Sequence, residues 1–308
     1  MPKVSVIIPT CNRAQFLRAA IESVRSQTFQ DFEIIIVDDA SSDETPEMMR
    51  SFTDGRIRYL RQDSKKGQGA TRNAGIHEAK GEYIALLDDD DEWLPTKLQK
   101  QVTLLDTLPA EVGLIYTGFS RIDASSRRVL SEVIPNERGN VFHALSRGNW
   151  IGTCSTVLLR RICFDKAGYF DEDFAAGADY DMWVRVAKRF QVDYIDEPLV
   201  FYRVHGDRIS TNFSSITRGL EAQLEKYANY FATDQKNYSR RYLNLGVSYC
   251  LNGETKKGRG ALLLAIKLYP LEIRHYYNFL LSLLGTRNFR KMKRRSGMVS
   301  LHVDDRAR

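Results

Sequence analysis

The sequence predicts an α/β protein, a mixed and mostly parallel sheet flanked by helices, with an all-α module at its C-terminal end. Three observations carry that expectation. Short apolar runs of the fully buried kind alternate with helical patterns over roughly the first third of the chain. Two of these runs end abruptly in carboxylates, at "VDD" and at "LLDDDD". From about residue 215 onward the strand signal vanishes and only helical periodicity remains.

The elements follow in order. "KVSVIIP" is a continuous apolar strand, and in "RAQFLRAAIESVRSQ" the residues Phe16, Leu17, Ala20, Ile21 and Val24 share one helical face. "FEIIIVDD" is a second buried strand. "SSDETPEMMRSF" predicts a helix opened by a Ser/Asp cap, with acids in its first turn. "RIRYLRQ" reads as a third strand, "GATRNAGIHEA" as a helix and "YIALLDDDD" as a fourth strand. Ligands of such sheets bind beyond the carboxyl ends of the strands, where both acidic clusters lie. Further on, "VGLIYTGFSRID" and "CSTVLLRR" read as strands and "DYDMWVRVAKRF" as a helix. "VDYIDEPLVFYRVH" reads as a strand broken at Pro198. "RRYLNLGVSYCLNGETKKGRGALLLAIKLYP" is a helix–turn–helix unit turning at Gly253. Its Leu245, Gly246, Tyr249, Ala265 and Pro270 stand at tetratricopeptide-like spacing, which an ordinary helical hairpin also satisfies. "LEIRHYYNFLLSLLG" adds an apolar helix, and "RNFRKMKRRSG" is a basic segment expected to be poorly ordered. The expected domains are 1–215, 216–285 and a basic tail, 286–308.

Composition sets outer bounds. The 308 residues are 43% hydrophobic and 27% charged, which excludes a disordered chain, and a net charge of +6 permits an acidic partner without demanding one. Cys11, Cys154, Cys163 and Cys250 match no zinc or redox spacing, and the first residues lack a secretory pattern. Reduced thiols and a cytoplasmic location are therefore expected. No run of eighteen apolar residues predicts a membrane span.

Four adjacent aspartates directly after a buried strand repel one another, and burial alone would raise their pKa values. A divalent cation or a set of ligand hydroxyls relieves that repulsion, and Mg²⁺ or Mn²⁺ takes such oxygen ligands together with substrate phosphates. "KKGQGATRNAG" resembles a dinucleotide fingerprint only superficially, since Lys65 and Lys66 precede its glycines and Gly75 comes too late. Arg72, near the start of a helix, is instead placed to neutralise phosphate beside that helix's first amides.

"VSVIIPTCNR", "QTFQDFEIIIVDDASSDET", "GQGATRNAGI", "GEYIALLDDDDEWLPTKLQKQ", "GYFDE", "ADYDMWVRVAK" and "YRVH" occur in the order and spacing of family 2 glycosyltransferases. The resemblance covers roughly residues 3–212. It implies the GT-A fold and an inverting reaction on a nucleotide-sugar donor, with Mn²⁺ or Mg²⁺ as cofactor. It implies that Pro9, Thr10, Asn12 and Arg13 line the nucleotide pocket, that Asp39 accepts a hydrogen bond from the base, and that Asp43 shapes that loop. By the same resemblance Arg72 and Asn73 lie near the ribose and diphosphate, Asp88 and Asp89 reach the ribose or sugar, and Asp90 ligates the metal. His205 matches a metal or diphosphate contact. The quartet leaves the register of these roles open by one residue.

The resemblance further implies a base that takes the acceptor's proton, which here is Asp179, with Asp181 in reserve. Ala178 stands where the family usually has glutamate. Cys11 departs from a frequent aromatic and weakens any inference about the base, although UDP is the commonest donor class. Trp93 and Trp183 fit either sugar platforms or core packing. The implied activity is sugar transfer to a hydroxyl of a glycan or lipid-linked acceptor, in surface polysaccharide synthesis. A sugar nucleotidyltransferase and an inactive binding module are the alternatives. Other expected partners are an anionic membrane surface on the inner face of the plasma membrane, met through 287–295, and a protein partner or second copy met through the helical module. Nucleic acid is not expected, because the basic stretch has no aromatic besides Phe289 to interleave with it.

Overall fold

The computed structural model describes residues 1–206 and 212–295, with the side chains of 294 and 295 excepted. Its strands are β1 (Val4–Thr10), β2 (Phe32–Asp38), β3 (Ile57–Arg61), β4 (Tyr83–Leu86), β5 (Glu92–Trp93), β6 (Val112–Asp123), β7 (Val129–Val133), β8 (Val157–Arg160) and β9 (Gln191–Val204). Among the described residues they form one sheet in the order β3-β2-β1-β4-β8-β6-β9-β5, with β7 paired to β6. The β3-β2-β1-β4 half is parallel, and β8 joins it antiparallel on both sides. β6 and β9 run parallel.

β1, β2 and β4 are buried along their whole lengths, as continuous Val/Ile/Leu runs covered on both faces must be. Their register matters for function. Thr10 pairs with Asp38, and Ile7 pairs with both Ile35 and Leu86, so the three chains leave the sheet along one edge. The helix Gln68–Glu78 lies close on this half, because Gly75 has no side chain. A Cβ there would stand 2.5 Å from Ile7 Cγ2 and 3.1 Å from Val37 Cγ2. Gly67, at φ +89°, makes the turn into the helix. The glycines of "GQGATRNAG" thus serve a turn and a close packing.

Three expectations are corrected. The helix read from Ser41 begins only at Thr45. The amides before it bond elsewhere: Ser41 N donates to Asp38 Oδ1 at 2.9 Å, and Ser42 N donates to Asn12 Oδ1 at 2.7 Å. The strand read as broken at Pro198 continues through it, and register shifts against β6 around Gly118 absorb the missing donor. The segment expected to be poorly ordered is helical over Gly285–Arg295, because Phe289 is fully buried among Val247, Cys250, Leu251, Leu262 and Leu281. Residues 296–308 of the expected tail lie outside the described residues.

The chain forms two compact units. The first holds the whole sheet and comprises Met1–Phe142, Trp150–Asp173 and Asp179–His205; the second comprises His143–Asn149, Phe174–Ala178 and the chain from Gly206 on. In the second unit the helices Gln235–Asn252 and Thr255–Leu268 form the expected hairpin, with Gly253 as a left-handed cap. Their close approach runs through two facing glycines. A Cβ on Gly246 would meet Gly258 O at 3.0 Å, and one on Gly258 would meet Cys250 Sγ at 2.5 Å.

Candidate active site

The edge where β1, β2 and β4 end gathers most of the charged residues singled out in the sequence. The four aspartates alternate. Asp89 and Asp91 are buried, at 5% and 1% exposure, whereas Asp88 and Asp90 are half-buried. Asp89 Oδ2 accepts from Thr10 Oγ1 at 2.7 Å, and its Oδ1 meets Arg13 Nη1 at 3.0 Å. Asp91 accepts from Ser155 Oγ at 2.6 Å and from the amide of Arg203 at 3.2 Å. Ser155 also accepts from Asp88 N at 3.1 Å, so one hydroxyl ties two members of the quartet.

The half-buried pair is held by cationic or titratable side chains. Asp88 Oδ1 accepts from Arg72 Nη2 at 2.5 Å. Asp90 Oδ2 lies 2.9 Å from Arg13 Nη1 and 2.9 Å from His205 Nε2, whose ring stacks on Phe16. Burial and then the charge of Asp90 push Asp89 up to about 7. Burial would raise Asp90 as well, but the bonds from His205 and Arg13 outweigh it and hold this carboxyl below the usual range. Burial, Asp90 and Asp88 raise Asp91 well above it.

Arg72 is 3% exposed, packs over the ring of Phe170, and its Nε has no hydrogen-bond partner. Burial works against its charge, and Cys154, Asp88 and Asp179 more than offset that effect. Asp179 sits in the first turn of the helix Ala178–Ala187, half-buried, where its Oδ1 accepts from Tyr180 N at 2.8 Å. Its charge reaches both Arg72 and Cys154.

Other expected residues do different things. Asn12, at φ +56°, orders the 41–43 turn. Asp43 accepts from Ala14 N and Thr45 N, so it serves the starts of two helices. Asp39 accepts from the amides of Lys66 at 2.6 Å and Gly67 at 3.0 Å, which places a side-chain carboxylate on the amides just before the helix Gln68–Glu78. Asn73 stands apart from the charged group. Its amide nitrogen donates to Phe170 O and Glu172 Oε1, and its oxygen accepts from Phe170 N, so it clamps the "GYFDE" loop. Trp93 and Trp183 are core residues at 3% and 0% exposure, bonded to Ser155 O and Gly152 O. Pro9 lies buried in β1, paired with Val37.

Ser155 and Arg203 escaped the sequence reading. Ser155 belongs to no local pattern, and Arg203, although it stands in "YRVH", contributes its backbone amide, which no motif signals. Ser155 lies in a short 3-10 turn, Cys154–Thr156, whose position depends on β8, and Arg203 depends on the path of β9.

Asp90 and His205 are the two side chains here that could contribute to a divalent-ion site. Asp90 Oδ2 and His205 Nε2 stand 2.9 Å apart, the spacing of adjacent ligands about an octahedral ion at roughly 2.1 Å. No group of three or more His, Cys, Asp or Glu side chains that could hold a metal occurs among the described residues. Mg²⁺ and Mn²⁺ are commonly held by one or two carboxylates, with substrate phosphates and water completing the shell.

Comparison with known proteins agrees with this architecture. The family model described as glycosyl transferase family 2 matches residues 5–167. The chain belongs to that family. The transferase is 32% identical over 241 residues to an uncharacterized glycosyltransferase of Rickettsia prowazekii, covering 75% of this chain and 71% of the relative. It is 30% identical to a UDP-Glc:alpha-D-GlcNAc-diphosphoundecaprenol beta-1,3-glucosyltransferase of Escherichia coli, over 68% of this chain and 80% of that one. The solved structure of S. aureus TarS 1–349 in complex with UDP-GlcNAc superposes with a TM-score of 0.64 at 17% identity, covering 96% of this chain and 92% of that one. That likeness is one of fold, and the fold of this glycosyltransferase is GT-A.

Proposed function

We propose that this glycosyltransferase inverts the anomeric centre of a sugar delivered by a nucleoside diphosphate, UDP in the first instance, and moves it to a hydroxyl of a glycan or lipid-linked acceptor. The observation that carries the reading is the alternation within the acid quartet. Asp89 and Asp91 are buried and tied down, Asp89 by the Thr10 hydroxyl and Arg13 and Asp91 by the Ser155 hydroxyl and the Arg203 amide, while the half-buried Asp88 and Asp90 face cationic groups that an anionic donor would also engage. The buried Arg72, with its Nε unspent, supplies a hydrogen-bond donor and a fixed charge to a phosphate or a sugar oxygen.

The family resemblance gives each residue a task, and its surroundings support or limit that task. Arg13 and Arg72 orient the diphosphate, Asp88 receives a hydroxyl of the ribose or sugar, and Asp89, with its oxygens engaged by Thr10 and Arg13, holds Arg13 in place rather than reaching the sugar itself. Asp90 and His205 are the residues that would hold Mn²⁺ or Mg²⁺. When bound, the ion supplies Lewis-acid stabilisation of the negative charge on the departing diphosphate. Asp179 takes the proton of the acceptor hydroxyl. It does so without the neighbouring glutamate that relatives usually have, so the acceptor's orientation rests on other contacts. The relative acting on a diphosphoundecaprenol-linked sugar supports an acceptor of that class, and surface polysaccharide synthesis as the setting.

A thermal-shift panel of nucleotide sugars, with and without Mn²⁺, tests the donor assignment. One UDP-sugar should raise the melting temperature, and more so with the metal, because a ligand that binds only the folded state stabilises it. Turnover should release free UDP. Release of pyrophosphate would replace the reading with nucleotidyl transfer.

A further inference from the structure

We infer that the outward face of the helix Ile273–Leu283, with the basic helix Gly285–Arg295 that follows it, docks on an anionic lipid surface. The helix Ile273–Leu283 is turned opposite to a helix of a water-soluble core. His275, Asn278 and Ser282 are buried with Leu281, at 0–4% exposure, and His275 bonds inward to Tyr269 O. Ile273, Tyr276, Tyr277, Leu280, Leu283 and Leu284 are exposed, from 41% at Tyr276 to 79% at Ile273. Their spacing, i, i+3/i+4, i+7, i+10/i+11, puts them on a single stripe. Scattered exposed leucines need no account, but a contiguous apolar stripe of two aromatic and four aliphatic side chains marks an interaction face.

Charge decides the occupant. The sequence from 273 to 303 has no Asp or Glu and seven Lys or Arg. Arg287, Arg290 and Lys291 are exposed on the second helix. A second copy docking the same face would set these cations against their own equivalents with no acid to offset them, which opposes a symmetric pair. A surface that is apolar beneath and anionic above complements both features, and tyrosines favour that boundary. No described helix is long and apolar enough to cross a membrane, so the contact is a peripheral one.

The test uses the full chain and vesicles, without donor or acceptor, so its failure leaves the transferase reading standing. The protein should sediment with phosphatidylcholine vesicles containing phosphatidylglycerol at low salt, and far less with phosphatidylcholine alone or at high salt. Leu280→Glu should lower partitioning about tenfold or more, because a charge replaces a buried apolar contact at the interface. Lys291→Ser should weaken binding to the anionic vesicles only. Leu283→Gln is the milder second variant, and both leucine variants should keep the parent's circular dichroism and melting temperature. No sedimentation with anionic vesicles, or sedimentation indifferent to Leu280→Glu and Leu283→Gln, overturns the inference. So does a concentration-dependent dimer that Leu280→Glu abolishes, or binding to an acidic protein in place of vesicles.

Discussion

The two units of this chain depart from the rule of apolar inside and polar outside in opposite directions. The sheet-containing unit buries carboxylates, with Asp89 at 5% and Asp91 at 1% exposure, just beyond strands built largely of isoleucine, valine and leucine. The helical unit exposes Ile273 at 79% and Leu280 at 61% while burying a histidine, an asparagine and a serine on the same helix. A buried charge is tolerable where hydroxyls, amides and opposite charges surround it, and an exposed apolar stripe where something else covers it. The first departure is met inside the unit by hydroxyls, amides and arginines, and the second leaves an apolar face that the proposed lipid surface would cover.

Changes in the sheet-containing unit should have the largest effects. Asp179→Asn should lower turnover by about 10³-fold while the donor still stabilises the protein in a thermal shift, since only the proton acceptor is lost. Unchanged turnover in steady-state assays would remove Asp179 from the reaction. Ser155→Ala should destabilise by about 1–3 kcal/mol for each group left without its partner, here Asp91 Oδ2 and Asp88 N. Denaturant melts measure this. Gly75→Ala should cost about 1–3 kcal/mol as an overpacked contact, because the new methyl would meet Ile7 Cγ2 at 2.5 Å.

The smallest effect sharpens the second unit's side of the comparison. Burial lowers Lys293 from 10.5 to about 8, and its ammonium lies 5.9 Å from the Phe289 ring. Above pH 8 the folded lysine loses its proton while the unfolded one keeps it up to 10.5, so the unfolded state binds more protons and stability rises with pH. Cys250 acts in the opposite sense above pH 9, since burial raises its thiol from 9.0 to about 11. The rise is therefore confined to the window from pH 8 to 9. Lys293→Met should flatten it and raise the melting temperature at neutral pH by a few degrees, at about 2–4 °C per kcal/mol for a chain of this size.

Much of the fold could be read without coordinates, because it rests on local periodicity. β1, β2, β4 and β6 fall where continuous apolar runs predict them, and the glycine at 253 caps its helix. β5 and β7 did not announce themselves. β5 is two residues long and exists through its pairing with β9, and β7 is an exposed strand paired to β6. The helix Gly285–Arg295 was hidden by its own composition, since six of its residues are cationic and only its contacts reveal that Phe289 and Lys293 turn inward.

By itself the sequence determined which strands are buried on both faces, that acids crowd the carboxyl ends of two of them, and that the last third is helical. These follow from continuous apolar runs, from the 3.6-residue period and from the like charge of neighbouring side chains, all of which are local. The tertiary structure alone decided that Asp89 and Asp91 turn inward while Asp88 and Asp90 do not. It also decided that His205 meets Asp90 across 115 residues, that Asn73 serves a loop, and which face of the helix Ile273–Leu283 looks outward. The placing of His205 depends on the path of β9 and its register, where one residue of slip would exchange every inward side chain for an outward one. The burial of the quartet, the Asn73 contact and the outward face of the helix Ile273–Leu283 depend instead on packing between segments far apart in sequence.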